Sequence, residues 1–174
     1  MPIGEPKPGV LYDPLDSKQG RLNVRRYTLE AAGEVVDDMF KRGQTGQWRL
    51  LCDETAQTGG RELAPAPLHY FASAVLFSEM TQIARYANLM RVPIKSVKGK
   101  VTVNLYFTGS VQAQRVDAGG EHIDTVFEIE SDAPLEQVRA VLSVARQGAW
   151  IRQMLLKPTP FQDTLLVNGE KFEL

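Results

Sequence analysis

Ser78 and Glu79 interrupt a nearly unbroken apolar run, Tyr70 to Phe77, which resumes as Met80, Ile83 and Ala84. A hydroxyl beside a carboxylate can supply a nucleophile, a proton carrier or the polar contacts of a ligand. A hydrolytic Ser78 needs a base. His69 lies nine residues earlier, about 180° around a helix, and cannot reach Ser78 along it. His122 follows Gly119-Gly120-Glu121 and reads as a solvated loop residue. No Gly-x-Ser-x-Gly elbow surrounds Ser78. Asp53, Glu54, Glu79 and a histidine lack the spacing of metal ligands, so no metal is expected. Phosphate-loop and dinucleotide patterns are absent, and no cofactor is expected. The single cysteine, Cys52, alternates with Trp48 and Leu50, where a thiol packs as a small hydrophobe and stays inert.

The polar pair must be held by a helix running from about Pro67 to Leu89. Pro67 suits its first turn, and Val92-Pro93 ends it. At 100° per residue Ser78, Thr81, Gln82 and Arg85 share one side, which Phe71, Ala74 and Val75 continue toward the amino end. Glu79 lies beside that stripe, over Val75, Ile83 and Tyr86. No lysine or arginine stands three or four residues from it. The amino half is apolar nearly all round and is expected to be buried on all sides. A buried carboxylate there needs a partner from elsewhere in the fold or from a second subunit. Two readings remain open: the helix emerges into water at Ser78, or Ser78 marks a pocket or subunit interface.

Around this helix, residues 1–20 hold four prolines and three glycines and read as an extended arm, with a short alternating segment at Leu22 and Val24. "EVVDDMFKRG" reads as a short helix closed by Gly43. "QWRLLC" reads as a half-buried strand and residues 53–66 as a turn-rich loop. Val97, Val101, Val103, Leu105 and Phe107 share one strand face, and Ile123, Thr125, Phe127 and Ile129 repeat that period after a loop containing Gly119-Gly120. These two strands are expected to form an antiparallel hairpin. Ser131 or Asp132 is expected to cap a second helix with Leu135, Val138, Val141, Leu142 and Ala145 on one stripe, weakened at Gly148. Asn168-Gly169 between apolar runs is a hairpin turn signal. This order of elements belongs to the α+β class, in a single domain over residues 1–174.

The 174 residues, 43 % hydrophobic, suffice for one core. With 20 basic and 21 acidic residues the net charge is −1, so no bulk attraction to nucleic acid or membrane is expected. MPIGEPKPGV lacks a secretory signal's basic start and apolar core, and no run approaches a membrane span. A cytoplasmic protein is expected.

The stretch "LLCDETAQTGGRELAPAPLHYFASAVLFSEMTQIARYA" through "VPIKSVKGKVTVNL" resembles the OsmC/Ohr family, the osmotically inducible and organic hydroperoxide resistance proteins. The family's acidic, glycine-rich loop is matched by Asp53-Glu54 and Gly59-Gly60, its helix start by Pro65-Ala66-Pro67-Leu68, and its helix end by Arg91-Val92-Pro93. The resemblance covers roughly residues 45–170. It implies an intertwined homodimer in which two sheets enclose the long helices, and a peroxiredoxin-like role in oxidative stress. Active members reduce organic hydroperoxides with one cysteine on the long helix and another after the second helix. Those positions fall at Ser78 and Ala149, and Ala149 is followed by Trp150-Ile151 rather than Pro-Val. The family's activating arginine has four candidates here, Arg21, Arg25, Arg26 and Arg61, and no motif selects among them.

Thiol peroxidases attack the O–O bond with a thiolate, and a second thiol resolves the sulfenic acid. A serine hydroxyl has no such two-electron cycle, and Ala149 has no functional group. The expectation is therefore a homodimer that binds a small, partly apolar molecule at its interface. Phe71, Val75, Phe77, Ala149, Trp150 and Met154 would wall the pocket, with Ser78, Glu79 and Gln82 as polar contacts. The alternative is an enzyme: a hydroperoxide reductase using Cys52, or an uncharacterised reaction at Ser78-Glu79.

Overall fold

Short β-branched runs, broken at residues that tolerate left-handed backbone, open the computed structural model, which describes Ile3 and residues 26–173. The arm expected over residues 1–20 and the segment at Leu22 and Val24 lie outside the described residues. The exception is Ile3, whose carbonyl accepts from the Ile94 N–H at 3.4 Å. Strands β1 (Ala31–Asp37), β2 (Phe40–Thr45) and β3 (Trp48–Cys52) form an antiparallel sheet in chain order. The helix expected over residues 34–43 is thereby corrected. Val35 and Val36 favour extended backbone, and Asp38, at φ 52°, turns the chain with Met39 so that Asp37 faces Phe40. Gly43 stops no helix; it pairs with Gly33.

Helix α1 (Pro67–Met90) follows the loop and ends at Arg91, whose left-handed φ of 55° lets Val92 N–H return to the Ala87 carbonyl. Strands β4 (Ser96–Ser110) and β5 (Arg115–Glu130) form the expected antiparallel hairpin. Its turn lies at residues 111–114, not at Gly119-Gly120. Gly119 and Gly120 sit inside β5 opposite Tyr106 and Leu105, and Glu121 is the extra residue of a bulge. The Tyr106 ring lies over Gly119, where a Cβ would meet its hydroxyl at 2.7 Å, so the glycine makes room for an aromatic ring. At Gly99 on β4 a Cβ would come within 2.6 Å of Phe127 and 2.8 Å of Leu76, so α1 seats closely on the sheet.

Helix α2 (Leu135–Gly148) starts behind Pro134, whose carbonyl accepts from Gln137 and Val138 N–H. Contrary to expectation, neither Ser131 nor Asp132 caps it; Asp132 pairs with Lys95 instead. The Ser131 hydroxyl joins the Pro93 carbonyl to the Ala133 N–H and fixes the approach to the helix. Helix α3 (Trp150–Leu156) begins after a break at Ala149. β6 (Leu165–Val167) and β7 (Glu170–Phe172) close on Asn168 and Gly169, both at positive φ, as the turn signal required. The class is α+β, with antiparallel pairing throughout the described sheets.

The core gathers Ile83, Ala87, Val92, Ile94, Val138, Val141 and Ala145, where the second half of α1 crosses α2 over the base of β4–β5. Elsewhere many large apolar side chains among the described residues are exposed. The amino half of α1 is not buried on all sides as expected. Leu68 and Phe77 are exposed, and within Pro67–Phe77 only Val75 is fully buried. Nor is β3 half-buried: Trp48, Leu50 and Leu51 are exposed, while Cys52 is partly covered. Among the described residues no helix is long and apolar enough to cross a membrane.

Candidate functional site

Glu79 is 4 % exposed, and its partner comes from far along the chain: Arg152 Nη1 donates to Glu79 Oε1 at 3.1 Å. The break at Ala149 makes this pairing possible. It turns α3 back across α1, and Arg152 on its first turn then faces the carboxylate. One position earlier on α1, Ser78 Oγ accepts from Ile151 N–H at 3.4 Å. That amide belongs to the first turn of α3, where no intrahelical acceptor exists, so Ser78 supplies one from another helix. Ala149 is wholly buried beside this contact. The polar pair thus latches α3 to α1, and the helix does not simply emerge into water here: Gln82 is buried with Glu79 and accepts from Arg85 Nη1 at 3.3 Å.

The structure therefore brings Ser78, Glu79, Ala149 and the start of α3 together. Val75 is buried one turn before Glu79 and Phe71 is partly buried, whereas Phe77, Trp150 and Met154 are exposed. The Trp150 ring meets Tyr27 edge-on, with centroids 5.5 Å apart. Glu79 also lines the inner end of a groove of about 660 Å³ between α1, α2 and β5, the only one of the nine expected pocket residues to do so.

Other chemistry-bearing side chains have separate tasks. His69 Nδ1 accepts from Ala66 N–H at 3.1 Å and caps α1, a role signalled in the sequence only by the three-residue spacing at a helix start. His122 lies in β5 rather than a loop, against Asn104 at 3.0 Å and Asp124 at 3.3 Å. Asp53 is 1 % exposed and accepts from the N–H groups of Glu54, Arg61 and Leu63. Burial pushes its carboxyl up, yet those three amides and the Arg61 charge outweigh it and hold the group below the usual carboxylate range. The loop's acidic residues are thus used within the loop. Glu54 accepts from Thr58, and Glu62 accepts from Ala56 N–H. Arg61 pairs with Asp37 at 2.9 Å, Arg26 is exposed, and Arg21 and Arg25 lie outside the described residues. Cys52, half-buried, lines a 520 Å³ cavity with Lys41 and Tyr70, beside the first turn of α1. Tyr70 is eight residues before Ser78, about 12 Å along the helix.

No family model and no curated protein matches this chain. Solved structures do. An OsmC-like hydroperoxide resistance protein from Jannaschia sp. is 20 % identical, with a TM-score of 0.56 over 80 % of this chain and 92 % of its own. An OsmC-like protein from Mycoplasma pneumoniae is 14 % identical, with a TM-score of 0.64 over 77 % and 91 %. An organic hydroperoxide resistance protein OsmC from Legionella pneumophila is 18 % identical, with a TM-score of 0.57 over 76 % and 91 %. The helix that carries Ser78 and Glu79 accordingly belongs to an OsmC-like fold.

Proposed function

We propose that this chain is a divergent member of the OsmC/Ohr family, a cytoplasmic homodimer without thiol peroxidase activity. It binds a small, partly apolar molecule in an interface pocket around Ser78 and Glu79. The observation that carries this reading is the contact of Ser78 Oγ with Ile151 N–H, two residues past Ala149. The two positions to which the resemblance assigns reactive thiols carry a hydroxyl and a methyl group, and the first touches the chain two residues past the second. The pairing of Glu79 with Arg152 leaves the site electrically balanced for a neutral or weakly polar ligand. Phe71, Val75, Phe77, Trp150 and Met154 form its walls, with Ser78, Glu79 and Gln82 as polar contacts. The uncovered apolar residues on α1 and β3 support a second copy as cover.

Incubation with cumene hydroperoxide and dithiothreitol tests the loss of peroxidase activity, and consumption is expected to stay at the buffer rate. The Ser78→Cys/Ala149→Cys double variant is expected to gain measurable consumption. A second reading has one observation in its favour. Cys52 lines a cavity, with the Lys41 backbone directly opposite in the sheet. Consumption by the unmodified chain that disappears on Cys52→Ala would replace the first reading with this one. Consumption that survives Cys52→Ala would exclude a thiol of this chain as its source, because Cys52 is the single cysteine.

A further inference from the structure

The 660 Å³ groove between α1, α2 and β5 falls in the size range of small-molecule sites, and its make-up is amphipathic. Ile83 from α1, Phe127 and Ile129 from β5, and Leu142 from α2 form an apolar floor. Arg139 and Arg146 stand on its rim, seven residues apart on one face of α2 and about 10 Å along the axis. Arg139 makes only a loose, exposed pair with Glu136 at 3.6 Å. Among the described residues no carboxylate lies within ion-pair distance of Arg146. The one acid inside the groove, Glu79, is already engaged by Arg152 and does not neutralise the rim.

The geometry points to this groove as a binding site for a single-chain aliphatic carboxylate, its tail on the floor and its head group between Arg139 and Arg146. Guanidinium groups bind carboxylates through paired, charge-assisted hydrogen bonds, and an apolar floor excludes the water that would compete with them. The site is distinct from the pocket proposed at Ser78, with which it shares only Glu79, and it stands without that reading.

Calorimetric titration of the full-length chain with dodecanoate, and with dodecanol as the neutral counterpart, tests the assignment. One saturable site for dodecanoate is expected, at least tenfold tighter than for dodecanol. Arg139→Gln/Arg146→Gln, at exposed positions, is expected to remove that advantage and leave the thermal midpoint unchanged. Leu142→Trp is expected to block both ligands, and Trp150→Ala, in the other pocket, to leave dodecanoate binding intact. Absence of binding, equal affinity for acid and alcohol, or indifference to the arginine variant would overturn the proposal. So would loss of binding on Trp150→Ala alone, which would place the ligand at Ser78.

Discussion

The two halves of α1 occupy different surroundings within one continuous helix. From Glu79 onward, Gln82, Ile83 and Ala87 are sealed against α2, α3 and the base of β4–β5. Before it, Leu68 stands in the open and Phe77 is 61 % exposed, and Trp48 and Leu50 on the neighbouring sheet are exposed as well. Both halves are rich in apolar residues, and only one finds enough apolar surface within this chain. The hydrophobic effect dictates that such surface be covered and is indifferent to which copy covers it. Ser78 and Glu79 sit at the junction between the half packed by the described residues and the half whose apolar surface those residues leave exposed.

The sharpest way to break the sealed half is to strand its buried charge. Arg152→Ala leaves Glu79 without its partner, and removing one member of a buried pair costs about 3–5 kcal/mol. Arg152 is itself 31 % exposed, so the lower end of that range is expected. The check is urea denaturation at fixed protein concentration. Glu79→Gln added to Arg152→Ala is expected to recover much of the loss, because an amide is far easier to bury than an unpaired carboxylate. A double variant no better than the single one would show that Arg152 acts through packing rather than charge.

A second pair of variants separates the halves directly. Ile83→Ala, in the core, is expected to cost about 3 kcal/mol through lost burial and a residual cavity, while dimer dissociation stays unchanged. Phe77→Asp, two residues before Glu79 and exposed, is expected to leave the core intact and shift the chain toward monomer. Analytical ultracentrifugation across a concentration series reads the difference. Equal effects of the two variants on dissociation would mean that the open half of α1 is not where a second copy sits.

Much of this frame was readable in the amino acids. The 3.6-residue period and Pro67 marked α1, the strict alternation from Val97 marked β4, and Asn168-Gly169 marked the last turn. Glu79's need for a distant cation followed from its i±3 and i±4 neighbours, all uncharged. The cation itself was not readable. Arg152 stands 73 residues away and reaches Glu79 only because the chain breaks at Ala149, which is a tertiary outcome rather than a local preference. The same limit explains β1–β2, where "EVVDDMFKRG" fits a helical stripe. The competing turn at Asp38 wins once β3 is available to extend the sheet. Gly119-Gly120 misled for a different reason: paired glycines signal a turn unless an aromatic ring, here Tyr106, needs the space.

The smallest effect concerns a loop in the open half that completes itself. Asp53 joins β3 to the approach of α1, and three amides of its own loop satisfy it without any second copy. Its carboxyl is held below the ordinary range because those amides and Arg61 outweigh the effect of burial. The sign follows from linkage. In the unfolded chain the group titrates near its ordinary value of about 3.9, so its stabilisation is fully present above that pH and is lost as pH falls through the lower folded value. Asp53→Asn places an NH2 group where an acceptor stood and is expected to lower stability at pH 7 and flatten the acid limb below about pH 4. Urea midpoints across that range, repeated at two protein concentrations, give the decisive reading. Dimer dissociation would make the acid limb shift with concentration, whereas a self-contained loop makes the Asp53 contribution the same at both.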